Sequence, residues 1–282
     1  MIAYRLLSNA DFDSLHECFL TAFSDYEVDM RMSREQFRQR LTRDGIRLEI
    51  SSGAFDGDRM IGFCMNAVGQ WQGKSTAYDG GSAMIPEYRG RGIATEMFAF
   101  LEPKLKEAAV VQYLLEVLTS NVPATNLYRK LGFVETRRLA VFRSQRDTRN
   151  TEGKKDLRHV EQPDWELFQS FWDGYPSWQH SIDAVERVAN ERVIMGAYTD
   201  DACVGYGVVF VPQMNLMQLA ISPQHRRLGI GSTILAALEA ALETAGPLKI
   251  NNIDEELKGT LAFFESNGYN EVLGQYEMIK TL

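Results

Sequence analysis

No stretch of this chain holds the ~18 consecutive apolar residues that a helix needs to cross a bilayer. The opening segment MIAYRLLSNADFDSL also lacks the basic-then-apolar layout of a secretory leader. A cytoplasmic protein that does not engage a membrane is therefore expected. Cysteine is scarce: Cys18, Cys64 and Cys203 stand far apart with no CxxC pair, which speaks against a disulfide framework and against a zinc site. His16, His159, His180 and His225 are equally scattered, so no metal is expected. Positive charge is not in excess either. The net charge of −8 argues against a nucleic-acid partner, which calls for a basic surface. No feature sets an oligomeric state.

What is present suits an ordinary globular protein with more than one core. A chain of 282 residues exceeds the ~250 at which single cores stop growing, so two domains are expected. The segment RSQRDTRNTEGKKD (143–156) is polar and charged with no apolar period, and reads as a linker. It divides the chain into 1–142 and 157–282, which carry net charges of −1 and −9 with +2 between them. The acidity of the second half reads as a solvated surface.

The two halves repeat. MIPEYRGRGIATEMFAFLE (84–102) lies over ISPQHRRLGIGSTILAALE (221–239), with Pro86/Pro223, Arg89/Arg226, Gly92/Gly229, Ile93/Ile230, Leu101/Leu238 and Glu102/Glu239 in register. Further on, LYRKLGF (127–133) lies over FFESNGY (263–269), and upstream IGFCMNAV (61–68) resembles VGYGVVFV (204–211). Three matches in one order, at a period this long, indicate domain duplication.

Periodicity and caps predict, in the first half, a strand at IAYRLLS, a helix at NADFDSLHECFLTAF opened by Asn9, and a second helix capped by Ser33. Strands are expected near 47–56, 60–69 and 75–85, then a helix over 92–109, a strand at VQYLLEV, a helix over 123–131 and a strand at FVETRRLAVF. The second half follows the same scheme, through a helix over 230–245 stopped by Gly246-Pro247, the strand LKINNI and a helix over 257–267. Hairpins early and a βαβ unit late in each half indicate an α+β domain built on a mixed sheet. The cluster Trp165, Phe168, Phe171, Trp172, Tyr175 and Trp178 reads as core, with a pocket wall as the other possibility.

The chemistry centres on the loop Arg89-Gly90-Arg91-Gly92. A strand end, a glycine-containing turn and a helix N-terminus make an anion site, because free backbone N–H groups converge at the positive end of the helix dipole. The two arginines add charge-assisted donors. A nucleotide-triphosphatase loop fails, since no Lys-Ser/Thr pair follows. A dinucleotide fingerprint finds Thr95 at its third glycine and a strand series ahead of it, and it is missing from the second copy, where Arg227 replaces Gly90.

The pattern [Q/R]xxGx[G/A] fits both copies, as Arg89 to Ala94 and as Arg226 to Gly231, and with it the chain resembles the GNAT acyltransferase superfamily. NVPATNLYRKLGF (121–133) is similar to the family's other signature, with Asn121, Ala124, Leu127, Tyr128, Leu131, Gly132 and Phe133 in place. The resemblance implies two GNAT domains in tandem and acetyl-CoA as co-substrate. It implies CoA contacts from Met84, Ile85, Arg89, Gly90, Arg91, Gly92, Ala94, Thr95 and Asn121, with an oxyanion donor in the main chain near Met84. A second CoA site would use Arg226, Arg227, Gly229 and Gly231.

By the same resemblance Tyr128 would protonate the CoA sulfur, Asp79 would act as base toward an amine, and Asp25, Tyr26 and Glu27 would border the acceptor. The expected acceptor is a primary amine of a small molecule or peptide. In the second half Phe264 takes the place of Tyr128, and no acid lies in NLMQLAISP. The first half is thus expected to catalyse; a non-catalytic acyl-CoA-binding protein, or catalysis by the second half, are the alternatives.

Overall fold

A computed structural model describes residues 1–144, 156–242 and 248–282. Most of the expected linker (145–155) and the expected Gly246-Pro247 helix stop lie outside the described residues. The chain divides into two compact units: Met1–Thr136 together with Tyr276–Leu282, and Arg137–Gln275.

The first unit contains β1 (Ile2–Leu6), α1 (Phe12–Ala22), α2 (Arg34–Asp44), β2 (Ser52–Asp56), β3 (Arg59–Trp71), β4 (Lys74–Met84), α3 (Ile93–Glu107), β5 (Gln112–Leu118) and α4 (Val122–Lys130). β6 (Val134–Ser144) begins there and runs into the second unit. The second unit continues with β7 (Asp156–His159), α5 (Trp165–Gln169), α6 (Ile182–Arg187), β8 (Arg192–Thr199), β9 (Ala202–Phe210), β10 (Asn215–Ile221), α7 (Ile230–Ala240), β11 (Lys249–Asp254), α8 (Lys258–Ser266) and the start of β12 (Tyr269–Thr281).

Strand order in the first unit is β1-β2-β3-β4-β5, antiparallel up to β4 and parallel between β4 and β5. The end of β12 lies beside β5, where Leu282 N donates to Val111 O at 3.0 Å. In the second unit the order is β6-β11-β10-β9-β8-β7, with β10 parallel to β11 and the other four pairs antiparallel. Each sheet is therefore mixed and flanked by helices, as the α+β pattern predicts. β12 itself, and the membership of its last residues in the first unit, is not among the elements expected from the sequence.

Alternation along β3 separates two layers of the first unit's core. Phe63 meets Phe19 of α1, ring centroids 5.9 Å apart, and Phe37 of α2 stands 4.9 Å from Phe19. The next residue, Cys64, points to the other face, where its Sγ lies 3.2 Å from the Tyr113 hydroxyl under α3 and α4. Caps fix the helix starts. Ser33 and Gln36 exchange side-chain and backbone hydrogen bonds at α2, which ends at Gly45 with φ 73°. At α1 the capping box is built by Ser8 and Asp11 around a short 3-10 turn, one residue ahead of the expected Asn9. The strand expected to start at 47 begins at Ser52, because Leu48–Ile50 form a 3-10 turn. Among the described residues no helix is long and apolar enough to cross a membrane.

Candidate active site

The site begins with a fault in the sheet. Along β3 and β4, Met65 faces Gly81 but Asn66 faces Asp79, so Gly80 is an extra, bulged residue. Parallel pairing between β4 and β5 runs from Thr76/Gln112 to Asp79/Leu115 and stops there. Beyond that point residues 80–84 and 116–118 part, and the β4 main chain borders a cleft. Arg40 of α2 holds the bulge by donating from Nη2 to Gly80 O at 3.0 Å.

β4 then feeds the loop to α3. Gly92 is the N-cap of α3, with φ 81°, and no side chain caps it. Gly90 has φ 72°. A Cβ added to either glycine would meet no atom within 4 Å, so packing does not require glycine there. What remains is the left-handed backbone and open access to the uncapped amides of Ile93, Ala94 and Thr95. Arg89 is committed elsewhere: its guanidinium binds Asp25 with two bonds, at 2.7 and 2.8 Å, and donates to Ala22 O at 2.7 Å, while Nε donates to Met84 O at 3.1 Å. Arg91 lies over the Tyr88 ring at 4.9 Å. The Arg89 side chain is thus not a free donor at the loop.

Asp79, at the last paired position of β4 with β5, is only 5% exposed. Its carboxylate accepts from Gly81 N at 2.9 Å and Ser82 Oγ at 2.7 Å. Burial pushes its pKa up to about 6; the bonds from Ser82 and Gly81 and the charge of Arg40 pull the other way. Beside it runs a buried polar chain in which Tyr113 donates to Asn66 and contacts Cys64.

Tyr128 of α4 is 7% exposed, and its ring is edge-on to Phe98 and Phe133 at 6.0 and 5.8 Å. Burial first, then the charge of Asp79, hold its phenol well above the usual tyrosine range, so it stays protonated.

Asn121 caps α4, its Oδ1 accepting from Ala124 N at 3.2 Å. Ser120 donates to Glu27. The loop Asp25-Tyr26-Glu27 is therefore tied to Arg89 on one side of the cleft and to the start of α4 on the other. The sequence reading placed all of these near one another except Arg40, Ser82 and the Tyr113–Asn66 pair. Arg40 reaches Gly80 from 40 residues away and Tyr113 reaches Asn66 from 47, so no local pattern marks them; Ser82 lies three residues from Asp79 but belongs to neither motif.

The second unit repeats the geometry with other side chains. The register shift between β9 and β10 makes Met217 the counterpart of Gly80, and β10 leaves β11 after Leu216/Ile250. Arg227 keeps a left-handed φ of 63° and Gly229 one of 77°. Phe264 fills the place of Tyr128, and Leu216 that of Asp79. A cleft of about 530 Å³ opens here, reaching from Arg226, Gly229 and Gly231 to Phe264, Trp172 and Tyr175. Of the expected aromatic core, Phe168, Phe171 and Trp178 are buried, while Trp172 and Tyr175 line this cleft.

The sequence profile of the Acetyltransferase (GNAT) family matches residues 12–133, and that of the Acetyltransferase (GNAT) domain matches residues 190–271. The chain belongs to the GNAT family. Both of its units carry a GNAT domain, in tandem. Its relatives include the N-alpha-acetyltransferase 30 of Schizosaccharomyces pombe, 33% identical over 92 residues that make 32% of this chain and 61% of that one. The N-terminal acetyltransferase B complex catalytic subunit NAA20 of Arabidopsis thaliana is 36% identical over 95 residues, 31% of this chain and 51% of that one. The chain thus spans about half the length of the curated relatives it matches. Among solved structures, a tandem GNAT protein from the clavulanic acid biosynthesis pathway shares the fold with a TM-score of 0.77 and 14% identity, over 100% of this chain and 98% of that one. A GCN5-related N-acetyltransferase from Sphaerobacter thermophilus follows with a TM-score of 0.75 and 11% identity, over 99% and 95%.

Proposed function

We propose that the first unit of this GNAT protein transfers an acetyl group from acetyl-CoA to a primary amine by direct attack. The observation that carries this reading is the buried carboxyl of Asp79 at the last β4–β5 pair, held by Gly81 N and Ser82 Oγ, together with the buried phenol of Tyr128 at α4. Within that cleft the residues fit the co-substrate. The uncapped amides of Ile93, Ala94 and Thr95, with Gly90 and Gly92 clearing the approach, suit a pyrophosphate. The freed main chain from Gly81 to Ile85 suits an extended amide-bearing arm, with an N–H near Met84 as oxyanion donor.

Asp79, with a pKa near 6, is charged at neutral pH yet basic enough to take a proton from an incoming ammonium, directly or through water. Tyr128 has too high a pKa to release its proton readily, so its first role is to donate a hydrogen bond that stabilises the departing thiolate. The thiolate takes its proton from solvent, and the phenol keeps its own. The acceptor is a small-molecule or peptide amine. The names of the curated relatives make a peptide α-amine the first to try.

The second unit supports a separate reading as a CoA site without catalysis. Its loop keeps the left-handed turn at Arg227 and Gly229 beside an open cleft, but Phe264 and Leu216 offer neither acid nor base.

The test is release of free thiol from acetyl-CoA in the presence of a short peptide with a free N-terminus, spermidine and an aminoglycoside. Turnover with one of them is expected. CoA binding without turnover for any amine would favour a binding protein over an enzyme.

A further inference from the structure

Arg89 heads the phosphate-loop motif, yet its guanidinium makes four hydrogen bonds to protein: one to Met84 O, two to Asp25 and one to Ala22 O. With five N–H donors in all, little is left for a ligand. The second unit builds the same arrangement from different sequence. Arg226 donates from Nε to Ile221 O at 3.0 Å, from Nη1 to Asp173 at 2.9 Å and from Nη2 to Phe171 O at 3.0 Å.

The carboxylates that these arginines hold begin short straps. In the first unit the chain continues from Asp25 to Glu27, which accepts from Ser120 just ahead of α4. In the second, Gly174 follows Asp173 and lies against Leu257, the N-cap of α8, where an added Cβ would stand 3.4 Å from Leu257 Cδ2. A polar contact in one unit is replaced by an apolar one in the other, but the crossing from loop to helix is retained. Stability does not explain this. Arg89 and Asp25 are 43% and 54% exposed in their side chains, and pairs so exposed contribute roughly 0–1 kcal/mol.

We propose that Arg89 is a positioning residue whose side chain fixes the strap Asp25-Tyr26-Glu27 beside the thioester and so sets how the amine approaches, while phosphate is held by main chain alone. Arg226 does the same for Asp173-Gly174-Tyr175. The proposal rests on the acetyl-transfer reading of the first unit for its consequence, but not for its test.

The variants are Arg89→Lys, Asp25→Asn and their combination. Amide hydrogen exchange over residues 24–27 reads the strap, titration with CoA reads the phosphate site, and turnover with the best amine reads catalysis. Exchange in the strap is expected to rise about tenfold in either variant, with no further rise in the combination, since the Arg89–Asp25 pair that holds the strap is broken in all three. CoA affinity should change less than about threefold, and the KM for the amine should rise with that for acetyl-CoA unmoved.

A tenfold loss of CoA affinity in Arg89→Lys that Asp25→Asn does not share would overturn the proposal and make Arg89 a phosphate ligand. Unchanged exchange in Asp25→Asn, an exposed substitution that should not perturb folding, would overturn it equally. Failure of the wild type to turn over any amine, with the exchange and affinity results as expected, would remove the catalytic reading and leave the positioning role standing.

Discussion

Arg227 occupies the place of Gly90 and holds the same left-handed backbone, φ 63° against 72°. For a residue with a Cβ this conformation costs on the order of 1 kcal/mol, which glycine avoids. The shape of the loop has therefore been kept where the residue that suits it has not. Gly90→Ala should lower stability by about 1 kcal/mol through imposed strain, while Arg227→Gly should cost nothing or stabilise slightly. Urea midpoints of the two variants check this. Equal destabilisation by both would mean that the Arg227 side chain, rather than its backbone, is what the second loop retains.

Asp79 gives two pH signatures. If it accepts the amine proton, kcat/KM should fall on the acid side with a midpoint at about 6, and Asp79→Asn should remove that limb and lower turnover by about 100-fold. Stability should move in the opposite direction. Above pH 6 the buried carboxylate is charged in the folded and unfolded chain alike, and burial penalises the fold by about 3 kcal/mol. As pH falls from 6 toward 4 the folded protein binds a proton that the unfolded chain does not, and the penalty disappears. Asp79→Asn should accordingly gain stability over the wild type at pH 8 and much less at pH 4, as read by melting temperature.

Asn121 has a structural duty beside any contact with the pantetheine arm. Asn121→Ala removes the cap of α4 and should cost about 1 kcal/mol, whereas Asn121→Asp keeps an acceptor for Ala124 N and should cost less. Comparable losses in both would show that the cap contributes little.

Much of this arrangement is legible in the sequence because it is local. The αL glycines, the start of α3 at Ile93, the cap at Ser33 and the signature around Tyr128 each lie within a few residues of the pattern that betrays them. Long-range relations are not written that way. Nothing near Arg89 names Asp25, 64 residues away, as its partner. Asp79 reads as a strand-end acid until its burial is known. β12 runs from Tyr269 to Thr281 without a turn signal, so no local pattern shows that Tyr276–Leu282 join the first unit. The bulge at Gly80, which opens the cleft, follows from pairing register alone.

The central claim is that acetyl transfer belongs to the first unit and depends on Tyr128. Thiol release from acetyl-CoA is most telling when measured for the wild type, Tyr128→Phe and Phe264→Tyr with one amine at saturation. Removing the Tyr128 hydroxyl should lower kcat by about 100-fold with CoA affinity unchanged, and adding one at 264 should leave the rate as it is. Unchanged turnover in Tyr128→Phe would contradict the account and move the chemistry to other groups or to the second unit.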